Sequence, residues 1–135
     1  MSTEGTFRGD LTRAIRANDC QAQPIESGTT GLGIPDLWVR TTKVGAWVEL
    51  KNEHYDLPLP GIYAVPFRTG QYGWLRRHYE LGGISVLGVK APSGVYFFAN
   101  EAIREVYYDS LQIVCNIHMK SINGKEFIAW LDGLV

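Results

Sequence analysis

The residues best placed to do chemistry lie in the stretch Gly33 to Lys51, GIPDLWVRTTKVGAWVELK. Asp36 follows Pro35 at the mouth of one β-rich run, and Glu49 and Lys51 stand two apart in the next. Residues two apart in a strand share a face. Glu49 and Lys51 therefore project together, while Val48 and Leu50 turn the other way, toward a core. A hairpin with its turn centred near Thr42 and Lys43 sets Asp36 opposite Glu49, where facing Cβ atoms are about 4.5–5.5 Å apart. Two carboxylates so placed can share a metal ion. Mg²⁺ or Mn²⁺ suits them, because hard cations want oxygen ligands and Mg²⁺ usually takes one or two protein carboxylates plus waters and phosphate oxygens. A lysine on the same face cannot ligate the metal, but it can neutralise a phosphate, orient a water or stabilise charge on phosphorus. Metal and lysine together would lower the barrier to in-line water attack on a phosphodiester. Alternating charged and apolar residues also mark any half-solvated strand; the conjunction of Pro-Asp, a short turn and Glu-Leu-Lys is what points to chemistry.

These residues need elements to hold them. Phe7, Leu11 and Ile15 recur at i, i+4 and i+8, which predicts an amphipathic helix over about Thr6–Ala17. Cys20–Ile25 reads as a weak strand, with Pro24 suggesting an edge or a strand end. The glycine-rich loop Glu26–Gly33 lacks the ending of a P-loop and is read as a loop beside the site. Asn52–Pro66 is rich in proline and reads as irregular, with a short strand at Ile62–Val65; His54, within it, reads as a surface residue.

A second helix is predicted from Gln71 to Leu81, closed by Gly82-Gly83, with Tyr72, Leu75 and Tyr79 on one stripe and Trp74, His78 and Leu81 on an adjacent one. Arg68, Arg76 and Arg77 cluster on or near it as the best basic patch in the sequence. Ile84–Val89 is apolar on both faces and reads as a buried strand. Ala91–Gly94 turns the chain into a further strand, Val95–Ala99. Asn100 is an N-cap candidate for a helix to about Tyr108, Leu111–Ile117 reads as extended, and Lys125–Leu134 as a final helix. The whole is an α/β arrangement, a mixed central sheet flanked by helices.

Composition bounds the rest. A chain of 135 residues fits one domain, 1–135, with one sizeable core. The net charge of −1 excludes the global basicity of an architectural DNA binder, though not a local patch that meets phosphates. Four Trp, seven Tyr and five Phe exceed what such a core needs and place some rings on a binding face or subunit interface. Cys20 and Cys115 stand in no metal or redox pattern and read as reduced thiols. With no signal-peptide core and no apolar run long enough to span a membrane, the expectation is a soluble, intracellular, cytoplasmic protein, in the host cell if viral.

Pro35-Asp36 followed by Glu49-Leu50-Lys51 resembles the PD-(D/E)xK nuclease signature. The wider string, Gly33-Ile34-Pro35-Asp36-Leu37, Trp47 to Lys51, then Gln71 with Trp74-Leu75 and Gly82-Gly83 before a Val-rich strand, is similar to the VRR-Nuc and Holliday-junction-resolvase-like branch, often found in phages. The resemblance spans about residues 7–98. It implies a restriction-endonuclease-like core, Asp36 and Glu49 as metal ligands for Mg²⁺ or Mn²⁺, Leu50 as a ligand through its carbonyl, Lys51 as the catalytic lysine and Gln71 as a supporting helix residue. The family commonly adds an acid on the first helix. Here Arg8 falls near that place, leaving Glu4, Asp10 or Glu26 to complete the site.

The implied function is a metal-dependent endonuclease that hydrolyses phosphodiester bonds in DNA, branched or flapped structures included, with Arg68, Arg76 and Arg77 meeting phosphates. Such enzymes commonly act as homodimers, and the stripe Phe127, Trp130 and Leu134 is a candidate interface beside its alternative as intradomain core. A catalytically inactive nuclease-fold module that binds nucleic acid or a partner protein is the second reading. A hydrolase acting on RNA or nucleotides with the same chemistry is the third.

Overall fold

Phe7, Leu11 and Ile15 are all fully buried, as their spacing requires, on helix α1 (Glu4–Arg16). Each such side chain contributes about 1.5–3 kcal/mol by leaving water. The computed structural model describes residues 4–25, 33–57, 65–103 and 116–135, with side chains from Thr6 onward. Arg16 Nε donates to Ala22 O at 3.0 Å and ties the end of α1 to strand β1 (Gln21–Pro24).

A six-stranded sheet follows in simple order, β1, β2 (Leu37–Arg40), β3 (Gly45–Asn52), β4 (Ile84–Ala91), β5 (Gly94–Ala99) and β6 (Ile117–Met119). Every neighbouring pair is antiparallel except β3 and β4, which run parallel. A parallel pair needs a crossover, and helix α2 (Gln71–Glu80) supplies it. β4 is buried along both faces, as its continuous apolar run anticipates. The edge position of β1 explains how Pro24 is tolerated, since among the described residues no further strand asks for its missing N–H.

The sheet has a core on each face. One gathers Phe7, Leu11 and Ile15 with Leu37, Val39, Val48, Leu50, Val86 and Phe97, closed by Phe127 and Leu131 of helix α3 (Gly124–Asp132). The other places Leu75 of α2 on Leu87, Val89 and Phe98. Asn123 caps α3 by accepting the Glu126 N–H at 3.0 Å, and Thr41 Oγ1 donates to Asp132 Oδ1, which fastens α3 to the β2–β3 turn.

Several expectations change. Phe127 packs on Phe97 with ring centroids 4.8 Å apart, so its part of the C-terminal stripe is intradomain core. Trp74 and Leu81 are exposed, because α2 buries only Gln71 and Leu75. A helix does begin at Glu101, directly after Asn100, but Asn100 has φ 56° and turns its side chain to accept the Ser85 N–H at 3.0 Å. β6 begins at Ile117, where the expected strand was to end. Residues 111–115, the short strand at 62–65 and the remainder of the helix after 103 lie outside the described residues. No described helix is long and apolar enough to cross a membrane.

Candidate active site

Strand register decides the geometry. Leu37 pairs with Val48 and Arg40 with Gly45, so the next position along the ladder sets Asp36 opposite Glu49 and the turn centre between Thr42 and Lys43. Thr41 Oγ1 accepts the N–H groups of Lys43 and Val44, each at 3.0 Å, which fixes that turn and therefore the register. Leu37, Val48 and Leu50 enter the α1-side core. Alternation then sends Asp36, Glu49 and Lys51 to the α2 side.

The Leu50 N–H donates to Asp36 Oδ2 at 2.9 Å, which brings the carboxylate against β3. Glu49 is fully buried and Lys51 is 2% exposed, with Lys51 Nζ 3.2 Å from Glu49 Oε2. Lys51 Nζ also donates to Gln71 Oε1 at 2.8 Å and lies 5.8 Å from the centroid of the Phe67 ring, a cation–π distance. Gln71 Oε1 accepts a second hydrogen bond, from the Arg68 N–H at 2.7 Å. The buried ammonium is thus held by a carboxylate, an amide and a ring.

The first turn of α2 is placed by Gly33 and Gly70, both with positive φ. A Cβ on Gly33 would sit 2.2 Å from Gly70 O, so only glycine lets the segment before Asp36 cross the start of α2 this closely. Among the glycines of the expected loop beside the site, only Gly33 is described, and it does lie there.

Asp36, Glu49, Leu50, Lys51 and Gln71 therefore come together. The additional acids do not complete the set in the described residues. Asp10 is ion-paired with Arg13 on α1, across the sheet from Glu49. Nothing is described of the Glu4 side chain, and Glu26 lies outside the described residues. The helix position where the resemblance expects an acid holds Arg8, whose Nη1 donates to Ile25 O at 3.3 Å, while the Ile25 N–H donates to Asp36 O at 2.9 Å. Among the described residues, no three His, Cys, Asp or Glu side chains form a metal-sized cluster. Two carboxylates and a main-chain carbonyl remain, an all-oxygen donor set that suits a hard divalent cation completed by water and phosphate. His54 is exposed, as expected. Arg68 and Arg77 are exposed, whereas Arg76 is engaged with Glu80 at 3.1 Å and with Tyr72 Oη at 3.3 Å.

No family model and no curated protein matches the chain. Among solved structures, the Holliday junction resolvase Hjc of Archaeoglobus fulgidus superimposes with a TM-score of 0.61 at 15% identity, over 93% of this chain and 98% of that one. The fold is restriction-endonuclease-like. At this identity the likeness extends to the fold alone, a mixed sheet with flanking helices.

Two features escaped the sequence reading: the use of Arg8 as a brace on Ile25, and the row of side chains that continues from the acid pair along the hairpin. The second was recoverable, since residues 36, 38 and 40 must share a face.

Proposed function

We propose that this chain is a metal-dependent endonuclease that hydrolyses phosphodiester bonds in DNA, with branched and flapped structures as its substrates, and that it stands near the VRR-Nuc branch of the PD-(D/E)xK nucleases. One observation carries the reading: Asp36, the residue before β2, accepts the Leu50 N–H of β3, and Glu49 on that strand has Lys51 buried beside it and held by Gln71. Burying an ammonium and a carboxylate costs several kcal/mol per ion and rarely returns more stability than apolar residues would. A cluster that is poor value for stability is better accounted for by chemistry. The likeness to a Holliday junction resolvase supports the branched substrate.

Asp36, Glu49 and the Leu50 carbonyl would hold Mg²⁺ or Mn²⁺. When bound, the ion would polarise the scissile phosphate and acidify a water ligand. Lys51 meets the negative charge that builds on the phosphate, and Gln71 keeps its ammonium aimed along the acid face instead of into solvent. Arg68, at the N-terminal end of α2, adds positive charge where the helix dipole is also positive. A homodimer remains part of the proposal, presenting two sites to two strands.

Gel assays with Mg²⁺ on linear duplex, single strand, flap and four-way junction, in DNA and RNA, test the reading. Cutting of branched DNA above linear duplex is expected. No cutting of any substrate, together with no calorimetric heat on Mn²⁺ titration with or without DNA, would point to the inactive binding module instead.

A further inference from the structure

The acid pair is the first step of a longer row. On the same sheet face, two residues farther along each strand, Trp38 pairs with Trp47, with ring centroids 5.1 Å apart. Two residues farther again, Arg40 pairs with Gly45. A Cβ on Gly45 would lie 2.7 Å from the Trp38 ring and 3.4 Å from Arg40 Nη1, so the missing side chain is what lets ring and guanidinium share that space. On helix α2, Gln71 meets Lys51, Trp74 one turn on lies edge-on to Trp47 with centroids 6.1 Å apart, and Arg77 follows at the next turn. The strand row therefore runs from the candidate hydrolytic residues through indole to arginine, and the helix adds Trp74 beside it, with Arg77 about 60° farther round the helix.

Core packing explains only part of this row, because Trp47 leans on the α2-side core while the rest of the row reaches solvent. Trp74 is 36% exposed, Trp38 and Trp47 keep part of their surfaces in solvent, and Arg40 is exposed with no carboxylate partner among the described residues. With about 3.4 Å per strand residue, the indoles stand about 7 Å from the acid pair and Arg40 about 14 Å from it. Aromatic faces beside exposed guanidinium groups are what proteins present to unpaired nucleotides, the rings stacking on bases and the cations meeting the adjoining phosphates.

We propose that Trp38, Trp47 and Trp74 form a stacking platform for an unpaired base next to the scissile phosphate, with Arg40 and Arg77 holding the following phosphates of that strand. This rests on the nuclease reading for its substrate class. It implies that single-stranded segments, such as those opened at a flap or junction, are gripped on one side of the site, and that fully paired duplex does not use the platform.

The test is fluorescence anisotropy of a labelled single-stranded oligothymidylate and of a labelled blunt duplex, without divalent metal, on the full chain. Trp74→Ala is expected to weaken oligothymidylate binding about tenfold, a typical loss for one stacked base, and to leave duplex binding nearly unchanged. Trp74→Phe should restore binding and Trp74→Leu should not, because a ring is needed and not apolar bulk. Circular dichroism of each variant separates misfolding from lost stacking. Equal binding by the Leu and Phe variants, an equal loss on duplex, or no binding of oligothymidylate by the native chain would each overturn the platform. So would sedimentation showing that Trp74→Ala splits a native dimer, since the surface would then be covered by a second copy. None of these outcomes depends on cleavage, so the platform can fail while the nuclease stands, and the reverse.

Discussion

Lys51 Nζ donates to Gln71 Oε1 at 2.8 Å across 20 residues of sequence, so the orientation of the candidate catalytic ammonium depends on a helix that neither strand of the hairpin contains. The same amide oxygen accepts the Arg68 N–H at 2.7 Å. Gln71 is thus where the site and the docking of α2 meet. Gln71→Leu keeps the volume but leaves a buried ammonium and a main-chain N–H short of an acceptor. It should cost about 1.5–3 kcal/mol in urea unfolding, the range for hydrogen bonds to charged groups, and should reduce cleavage in a folded enzyme. Unchanged stability would mean that the amide contributes nothing to either.

Protonation of His78 should destabilise the fold. Burial holds its imidazole below the ordinary value of 6.5, against a smaller opposing contribution from a backbone hydrogen bond at Ile84. Its Nε2 is buried without a hydrogen-bond partner among the described residues, packed where a side chain on Gly83 would otherwise sit. The unfolded chain therefore takes up the proton more readily than the folded one. Stability from the neutral ring is fully present above about pH 6.5 and falls as pH drops below it toward the depressed folded value. Urea midpoints measured on both sides of pH 6.5 should show this loss, and His78→Gln should flatten it.

The hairpin was the most legible part of the chain. Alternation in Trp47–Lys51 and the break at Pro35-Asp36 leave one register that buries Leu37, Val48 and Leu50 together, since a slip by one residue would put Glu49 in the apolar core. The stripe Phe7, Leu11 and Ile15 gave α1 for the same reason. What a buried stripe cannot reveal is the use of the opposite face, so the brace from Arg8 to Ile25 was invisible and an acid was sought in its place. Helix α2 misled in the other direction. Its apolar residues fall on two adjacent stripes, yet it buries only Gln71 and Leu75 and leaves Trp74 exposed. At Asn100 a good capping residue served another need, because a positive φ and a bond to Ser85 suit asparagine as well as an N-cap does.

Truncating Phe127 should damage folding and not merely assembly. Its ring is fully buried, 4.8 Å from Phe97 and 5.8 Å from Trp130 by centroid. Phe127→Ala is expected to cost about 3–5 kcal/mol, the usual loss for a buried aromatic. Thermal melting at several protein concentrations checks this, since a core position lowers the midpoint equally at all of them, whereas an interface position would lower it most in dilute solution.

DNA affinity should fall only gently with salt, as befits a chain of net charge −1. Arg68 and Arg77 are exposed, while Arg76 is occupied by Glu80. Arg68→Ala and Arg77→Ala should each shallow the plot of log affinity against log salt by about 0.9, one phosphate apiece, and Arg76→Ala should change it less. A native slope as steep as that of a strongly basic DNA binder would reveal a second positive surface.

If Asp36, Glu49 and Lys51 hydrolyse phosphodiesters as proposed, cleavage of a four-way DNA junction in Mg²⁺ must depend on them, and Glu49→Gln and Lys51→Ala are the decisive variants. Both variants should lose about 10²-fold or more of the native rate, the scale on which removing one charge-stabilising group acts, while circular dichroism and junction binding show them folded and bound. Undiminished cutting by both variants would contradict the account.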